Sequence, residues 1–302
     1  MNQFEDMQTF VRIVEAGSIT KAAEQLNTAK SAVSKRLSAL EKRLAVKLLI
    51  RTTRSQTLTD SGSSYYQQCL RIIDDVAEIE ANIRNDNCAL KGNIKLAAPL
   101  SFGLTHLGEA LLQFNEIYPE INFDIDFNDR QVDLIEEGFD LAIRISQLAD
   151  STLMAKQLTK IHVLLCASPD YLNKHGMPKH PEDLLLNHQR LRYATEPDYW
   201  QYINGNNEKK KLKIPTVIRS NNGSFLMNSA IKGKGLIMCP DFLCYKAIRL
   251  GQLVPILTNY FLPTEIPAYA VYPENRHLSQ RVRKLIDFLN NYFGEKPYWQ
   301  II

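Results

Sequence analysis

The feature that most constrains this chain is a pair of short helical patterns set back to back in SITKAAEQLNTAKSAVSKRLSALEKRL, residues 18–44, the second loaded with lysine and arginine. Ahead of the pair, Phe4, Met7, Phe10, Val11 and Val14 recur at helical spacing and predict a first amphipathic helix, which Gly17 ends. Ser18 or Thr20 can cap the second helix, which carries Ala22, Ala23 and Leu26 on one face. After the tight Asn27-Thr28-Ala29 segment, Ala32, Val33, Leu37, Leu40 and Leu44 mark a third helix whose other faces hold Lys30, Ser31, Ser34, Lys35 and Ser38. Two short helices joined by such a turn form a helix-turn-helix. The small Ala22 and Ala23 let the helices approach closely, and serines and lysines near the start of the last helix suit base edges and phosphates.

Between Lys21 and Arg54 there are nine basic residues and two acids, a net charge of +7 against +3 for the whole chain, so the remainder is net acidic. A basic end on such a chain suggests a polyanion-binding module. The stretch LLIRTTRSQTLTDSG then alternates polar and apolar residues and predicts a short hairpin, a wing whose Arg51, Thr53 and Arg54 flank the major groove. A basic helix pair can also be no more than a solvated surface. Here the helix pattern, turn, serine-rich face and basic hairpin come in order. That favours a DNA reader, with Thr28, Lys30, Ser31, Ser34, Lys35 and Arg36 on its reading face.

At 302 residues, with 45% hydrophobic and 23% charged, the chain has ordinary globular composition and room for two or three domains. Its start has no basic segment followed by a long apolar one, so no signal peptide is expected. No apolar run reaches the roughly 18 residues that a membrane helix needs. The cysteines Cys69, Cys88, Cys166, Cys239 and Cys244 are odd in number and scattered, which fits a reducing cytoplasm, the expected location. Cys239 and Cys244 invite a redox-sensor reading, but an apolar setting raises a thiol's pKa and blunts its reactivity.

The N-terminal stretch resembles the winged helix-turn-helix of LysR-type transcriptional regulators, through FVRIVEAGSITKAAEQLN, SAVSKRLSALEKRL and RTTRSQTLTDSG. Ala29 departs from the family's Ser, Thr or Pro, which weakens the cap of the recognition helix by about 1 kcal/mol. Lys30 replaces a base-reading glutamine and implies a different sequence preference, and Ala45 and Leu49 replace a glycine and a phenylalanine.

Past Gly62, the residues Tyr65, Cys69, Ile72, Val76, Ile79 and Ile83 step alternately by four and three, an a/d stripe flanked by Asp74, Asp75, Glu78, Glu80 and Arg84. So narrow a stripe suits pairing with a second chain better than packing on its own domain, and the resemblance implies the same. The expected organisation is a winged domain over 1–60, a linker and dimerisation helix over 61–90 ending in the hinge NDNCALKGN, and an effector domain over 91–302. Paired chains address a two-fold symmetric DNA site, and the resemblance implies a homodimer or homotetramer.

From Asn93 onward NIKLAAP, INFDIDF, DLAIRI, IHVLLCAS, LKIPTVIRS, GLIMCP and IPAYAVYP read as strands. Between them, Leu104–Tyr118 and QVDLIEEG read as helices, and Val282, Leu285, Ile286, Leu289 and Phe293 mark one face of a last helix. This alternation predicts α/β architecture with a largely parallel sheet. AAPLSFG, EEGFDLAIRI, ASPDYLNKHGMPKHPEDL, SNNGSFLMNSAIKGKGLIMCPDFL and GQLVPIL resemble the LysR-type effector domain. That implies the periplasmic-binding-protein fold, with subdomain I from 91–162 and 268–302 and subdomain II from 163–267.

Such folds hold small molecules at strand C-termini and helix N-termini. The candidate cleft residues are Ser101, Phe102, Arg144, Ser146, Asn221, Asn222 and Pro240. The planar fork of Arg144 suits a carboxylate, although a structural ion pair explains it equally well, and Ser101 and Asn222 are equally natural helix caps. The effector class expected is an organic acid or an aromatic compound.

KGKGL, residues 232–236, lacks the spacing of a phosphate loop, and Gly233 fits better just past a helix end. The histidines lack metal-ligand spacing, EKKKLK reads as a solvated hairpin tip, and no Gly-x-Ser-x-Gly or HExxH motif appears. The sequence thus reads as a non-enzymatic regulator with no cofactor or metal, partnered by promoter DNA, a small effector, further copies of itself and RNA polymerase.

Overall fold

The computed structural model describes residues 2–51, 56–83, 90–146, 153–258, 260–262, 265–274 and 278–301. The chain divides into two compact units, Met1–Gly92 and Asn93–Ile302. In the first, α1 (Gln3–Ala16), α2 (Ile19–Gln25) and α3 (Lys30–Leu44) are followed by the hairpin β1 (Leu49–Arg51) and β2 (Gln56–Leu58) and by α4 (Asp60–Ile83). The boundaries have chemical causes. Asn2 accepts from the Phe4 amide, Gly17 closes α1 in the left-handed region at φ 68°, and the Ser18 hydroxyl, rather than Thr20, accepts from the Lys21 amide. Ala29 precedes α3 with no side-chain cap, and Ala45 ends it in the left-handed region at φ 55°. The three helices bury Phe10, Ile13, Ala22, Val33, Leu37 and Leu40 in one core.

The wing is anchored by α3 itself. Glu41 is 4% exposed and accepts from the Lys47 ammonium at 2.8 Å and from the Leu48 and Leu49 amides at 3.0 and 3.3 Å. Burial pushes its carboxyl up, but Lys47 and the two amides outweigh burial and hold it below its ordinary range. Thr59 donates to the Lys47 carbonyl at 2.7 Å and accepts from the Gly62 amide at 2.9 Å. Only glycine fits at position 62, because a Cβ there would lie 1.9 Å from the Leu48 carbonyl oxygen.

The second unit opens with β3 (Gly92–Ala98) and a helical run made of α5 (Leu100–Phe102), a π-helical turn (Gly103–Leu107) and α6 (Gly108–Ile117). There follow β4 (Ile121–Phe127), β5 (Leu141–Ile145), the long β6 (Leu153–Ala167), α7 (Pro169–His175), a 3-10 turn (Pro181–Asp183), α8 (Leu184–Asn187) and β7 (Arg190–Tyr193). Next come β8 (Trp200–Ile203), β9 (Lys209–Leu212), β10 (Thr216–Ser220), α9 (Gly223–Ile231), β11 (Leu236–Pro240) and α10 (Asp241–Arg249). The last elements are β12 (Val254–Pro255), β13 (Phe261–Leu262), β14 (Glu265–Pro273) and α11 (Gln280–Phe293). One sheet has the order β10-β7-β11-β6-β14-β5-β3-β4, with β12 also on β6, and a small second sheet has the order β13-β8-β9.

The sheet is mixed rather than largely parallel. The pairs β3–β5, β7–β10 and β7–β11 are parallel, but β14 runs antiparallel to β5 and β6, and β11 antiparallel to β6. All the antiparallel pairs of this sheet among the described residues involve β6 or β14: β6 bonds β14 along its first part and β11 and β12 along its last, and β14 bonds β5 on its other side. Along β6 the partner changes from β14, where His162 faces Glu265, to β11, where Val163 faces Pro240. The QVDLIEEG segment is not a helix: Asp133 accepts from the Ile135 and Glu136 amides and Glu137 accepts from the Asp133 amide, which satisfies these groups in turns instead. The last helix buries Val282, Leu285, Ile286, Leu289 and Phe293, as its spacing predicts.

Candidate functional site

In the first unit, α3 presents two faces. Val33, Leu37 and Leu40 are buried, while Thr28, Lys30, Ser31 and Lys35 are exposed and Ser34 is half-buried. No side chain caps α3, although the Ala32 and Val33 amides donate to the Ala29 carbonyl at 3.0 and 3.2 Å, and the positive end of the helix dipole lies at this end. Arg36 differs from expectation. Its guanidinium pairs with Glu5 at 2.8 Å and lies 4.0 Å from the buried Asp6, which also faces Arg43 at 3.8 Å. It therefore ties α3 to α1 and is removed from the reading face. Arg51 ends β1 opposite Gln56, whereas Thr53 and Arg54 lie outside the described residues.

The stripe on α4 divides in two. Cys69 is fully buried and Tyr65 packs on Phe10 at 5.5 Å between ring centroids, both within the core of the same chain. These two are corrected from seam residues to core residues: the start of α4 lies on α1, so the apolar face is used internally there. Further along, Ile72 and Ile79 are 41% and 49% exposed and Val76 is half-buried. Ile83 closes the described part of α4, and residues 85–89 of the hinge segment lie outside the described residues.

In the second unit the N-termini of α5 and α9 meet. The Ser101 hydroxyl lies 3.3 Å from that of Ser224, and Gly223 is close enough that a Cβ on it would sit 3.7 Å from Ser101 Oγ. Asn222 caps α9 by accepting from the Phe225 amide at 2.8 Å, which fits its capping reading, and Asn221 beside it is exposed. Arg144 donates to the Val132 carbonyl at 3.1 Å and forms no ion pair among the described residues. Ser146 is exposed just past β5, and Pro240 is half-buried at the end of β11. Phe102 is corrected. It is fully buried, with Phe242, Phe293 and Trp299 at ring-centroid distances of 5.3, 5.4 and 5.9 Å, and belongs to the core behind the cleft.

Sequence reading missed a second bridge across this cleft. Asp129, after β4, accepts from the Leu100 amide at 3.0 Å and from the hydroxyl of Tyr193, at the end of β7. Burial and then the Asp129 carboxylate push the Tyr193 phenol up. The only sequence signal was that Tyr193 ends one strand and Asp129 lies two residues past another. His106 was also missed: it is 1% exposed, donates from Nε2 to the Phe242 carbonyl at 2.9 Å and accepts from the Tyr298 hydroxyl at Nδ1. Burial pushes its imidazole pKa down.

Cys166, Cys239 and Cys244 are free and buried, and Cys88 lies outside the described residues. The neighbouring Cys244, together with burial, pushes the Cys166 and Cys239 thiols up. Gly233 follows the end of α9 at φ 70°, as a helix terminus requires. Among the described residues no group of three His, Cys, Asp or Glu side chains could hold a metal ion, and no helix is long and apolar enough to cross a membrane.

Two family models match the chain: a bacterial regulatory helix-turn-helix protein of the lysR family over residues 4–63, and a LysR substrate binding domain over residues 89–294. An uncharacterized HTH-type transcriptional regulator of Haemophilus influenzae is 34% identical over 93% of this chain and 98% of its own. The HTH-type transcriptional regulator CrgA of Neisseria meningitidis serogroup B is 33% identical over 96% of this chain and 97% of its own. The solved structure of CrgA, a LysR-type transcriptional regulator, matches with a TM-score of 0.61 over 95% of this chain and 97% of that one. The full-length virulence activator AphB of Vibrio cholerae, 26% identical, matches with a TM-score of 0.60 over 97% of this chain and 99% of that one. These matches run through both units, and the chain belongs to the LysR-type transcriptional regulators, with a helix-turn-helix DNA-binding domain followed by a substrate-binding domain.

Proposed function

We propose that this regulator binds double-stranded promoter DNA sequence-specifically, in the cytoplasm, as a homodimer or homotetramer that works with RNA polymerase. Thr28, Lys30, Ser31, Ser34 and Lys35 contact bases and phosphates, and Arg51, Thr53 and Arg54 flank them as a wing. The observation that carries the reading is the two-sidedness of α3. Its apolar side is spent on the core, while Lys30, Ser31 and Lys35 project from the other side beside an uncapped helix start. Ile72, Val76 and Ile79 supply the pairing seam. A small organic acid or aromatic effector occupies the cleft lined by Ser101, Arg144, Ser146, Asn221, Asn222 and Pro240. It acts by binding one subunit arrangement more tightly than another.

A gel shift and footprint with DNA flanking the protein's own gene test this. The expected result is a bounded footprint whose affinity falls on the order of 10³-fold or more between 50 and 200 mM salt. Lys30→Ala should lose discrimination at one base position. A footprint without boundaries, or equal affinity for unrelated duplexes, would refute the proposal.

A further inference from the structure

We infer that an open pocket between α11 and the β6–β14 pair binds a zwitterionic amino acid with an apolar side chain. The pocket has a volume of about 590 Å³, within the roughly 300–1,000 Å³ of small-molecule sites. Its walls follow from the backbone. Met154 of β6 pairs with Tyr272 of β14, so both stand on one side of the sheet, and Lys156, two residues along β6, joins them. Glu274 follows just past the end of β14. On that side α11 packs against β6 and lines the pocket with Arg283, Ile286 and Asp287, whose spacing sets them on one helix face. Leu278, ahead of α11, completes the lining.

The apolar part of the lining is left partly open. Ile286 is buried, Tyr272 and Leu278 are half-buried, and Met154 is 46% exposed. Covering such surface is favourable. Charge decides what the head group of the occupant is. Lys156 and Asp287 satisfy each other at 2.7 Å. Arg283 and Glu274 are exposed and have no ion pair among the described residues. One cation and one anion are therefore available on the pocket wall. A simple carboxylic acid would pair with Arg283 and set its negative charge beside Glu274, and an amine would do the reverse. A molecule with both a carboxylate and an ammonium serves both residues and adds no net charge. Its side chain then rests on Met154, Tyr272, Leu278 and Ile286. An α-amino acid with an aliphatic or aromatic side chain has that make-up.

This pocket is separate from the effector cleft and shares no residue with it. Tyr269, the register partner of Arg144, lies three residues before Tyr272 on β14, so Arg144 and Tyr272 project from opposite faces of the sheet. The site therefore does not depend on the effector reading.

Calorimetric titration of the full-length protein at pH 7 with L-phenylalanine, and separately with L-leucine, tests the inference. Saturable binding of one amino acid per chain is expected. Hydrocinnamate, which lacks the ammonium of phenylalanine, and phenethylamine, which lacks its carboxylate, should each bind about tenfold more weakly than phenylalanine. Glu274→Gln should bind phenylalanine no better than hydrocinnamate, and Arg283→Gln no better than phenethylamine. A merely structural role for either residue would leave that discrimination in place. Both side chains are exposed, so both variants should fold, which circular dichroism checks. Absence of saturable binding of either amino acid to the folded wild type, equal binding of phenylalanine and its two truncated forms, or unchanged discrimination in either variant overturns the inference.

Discussion

Replacing Glu41 by alanine removes the carboxylate that bonds the start of the wing to α3. The carboxylate is 4% exposed and serves the Leu48 and Leu49 amides together with the Lys47 ammonium. Both amides are bonded in a buried setting, and orphaning each costs about 1–3 kcal/mol, so the expected loss is about 2–6 kcal/mol. That is a large share of the roughly 5–15 kcal/mol that holds an ordinary domain together. Lys47→Ala provides the contrast. Its side chain is 78% exposed, so losing the ion pair alone should cost under about 1 kcal/mol.

The pH dependence follows from the direction of the shift. The folded carboxyl sits below its ordinary 4.5, so its contribution is fully present above that value and is lost as pH falls through the lower, folded value. Urea unfolding of the wild type, Glu41→Ala, Glu41→Gln and Lys47→Ala, followed by circular dichroism at pH 7 and pH 4, reads all of this. The glutamine variant should be less sensitive to acid than the wild type. Finding Glu41→Ala within 0.5 kcal/mol of the wild type, or costing no more than Lys47→Ala, would refute the reasoning.

Gly62→Ala should destabilise the first unit by about 2–3 kcal/mol, since its methyl would sit 1.9 Å from the Leu48 carbonyl oxygen; urea midpoints check this. Ala45→Gly should stabilise it by about 1 kcal/mol, because an L-residue at φ 55° is strained and glycine is not; differential scanning calorimetry should show a higher midpoint. Ile72→Asp with Ile79→Asp should leave circular dichroism unchanged and lower the mass in sedimentation equilibrium, since both side chains are exposed on the proposed seam. Ser224→Ala should leave folding intact and shift the affinity for any effector bound in the cleft by less than Arg144→Ala does, measured by titration calorimetry, because it removes one hydroxyl and no charge.

What the sequence by itself determined is whatever local chemistry controls. Ser18, the uncapped Ala29 and the spacing of Val33, Leu37 and Leu40 act over a few residues, so the three helices, their order and the outward side of α3 were legible before any coordinates. The wing was legible for the same reason, since its strands are adjacent in the chain and alternate in polarity. The tertiary structure decided everything that depends on which distant surfaces meet. Periodicity marks a face as apolar without saying what covers it, so the α4 stripe read as one seam although Tyr65 and Cys69 belong to the core of their own unit. A charge has no address in the sequence either: Arg36 counted as a free cation until the fold set Glu5 and Asp6 beside it. The strand directions around β6 and β14 and the Asp129–Tyr193 bridge arise where segments far apart in the chain pack together. Burial and pairing are properties of a whole folded surface, and no window of residues contains them.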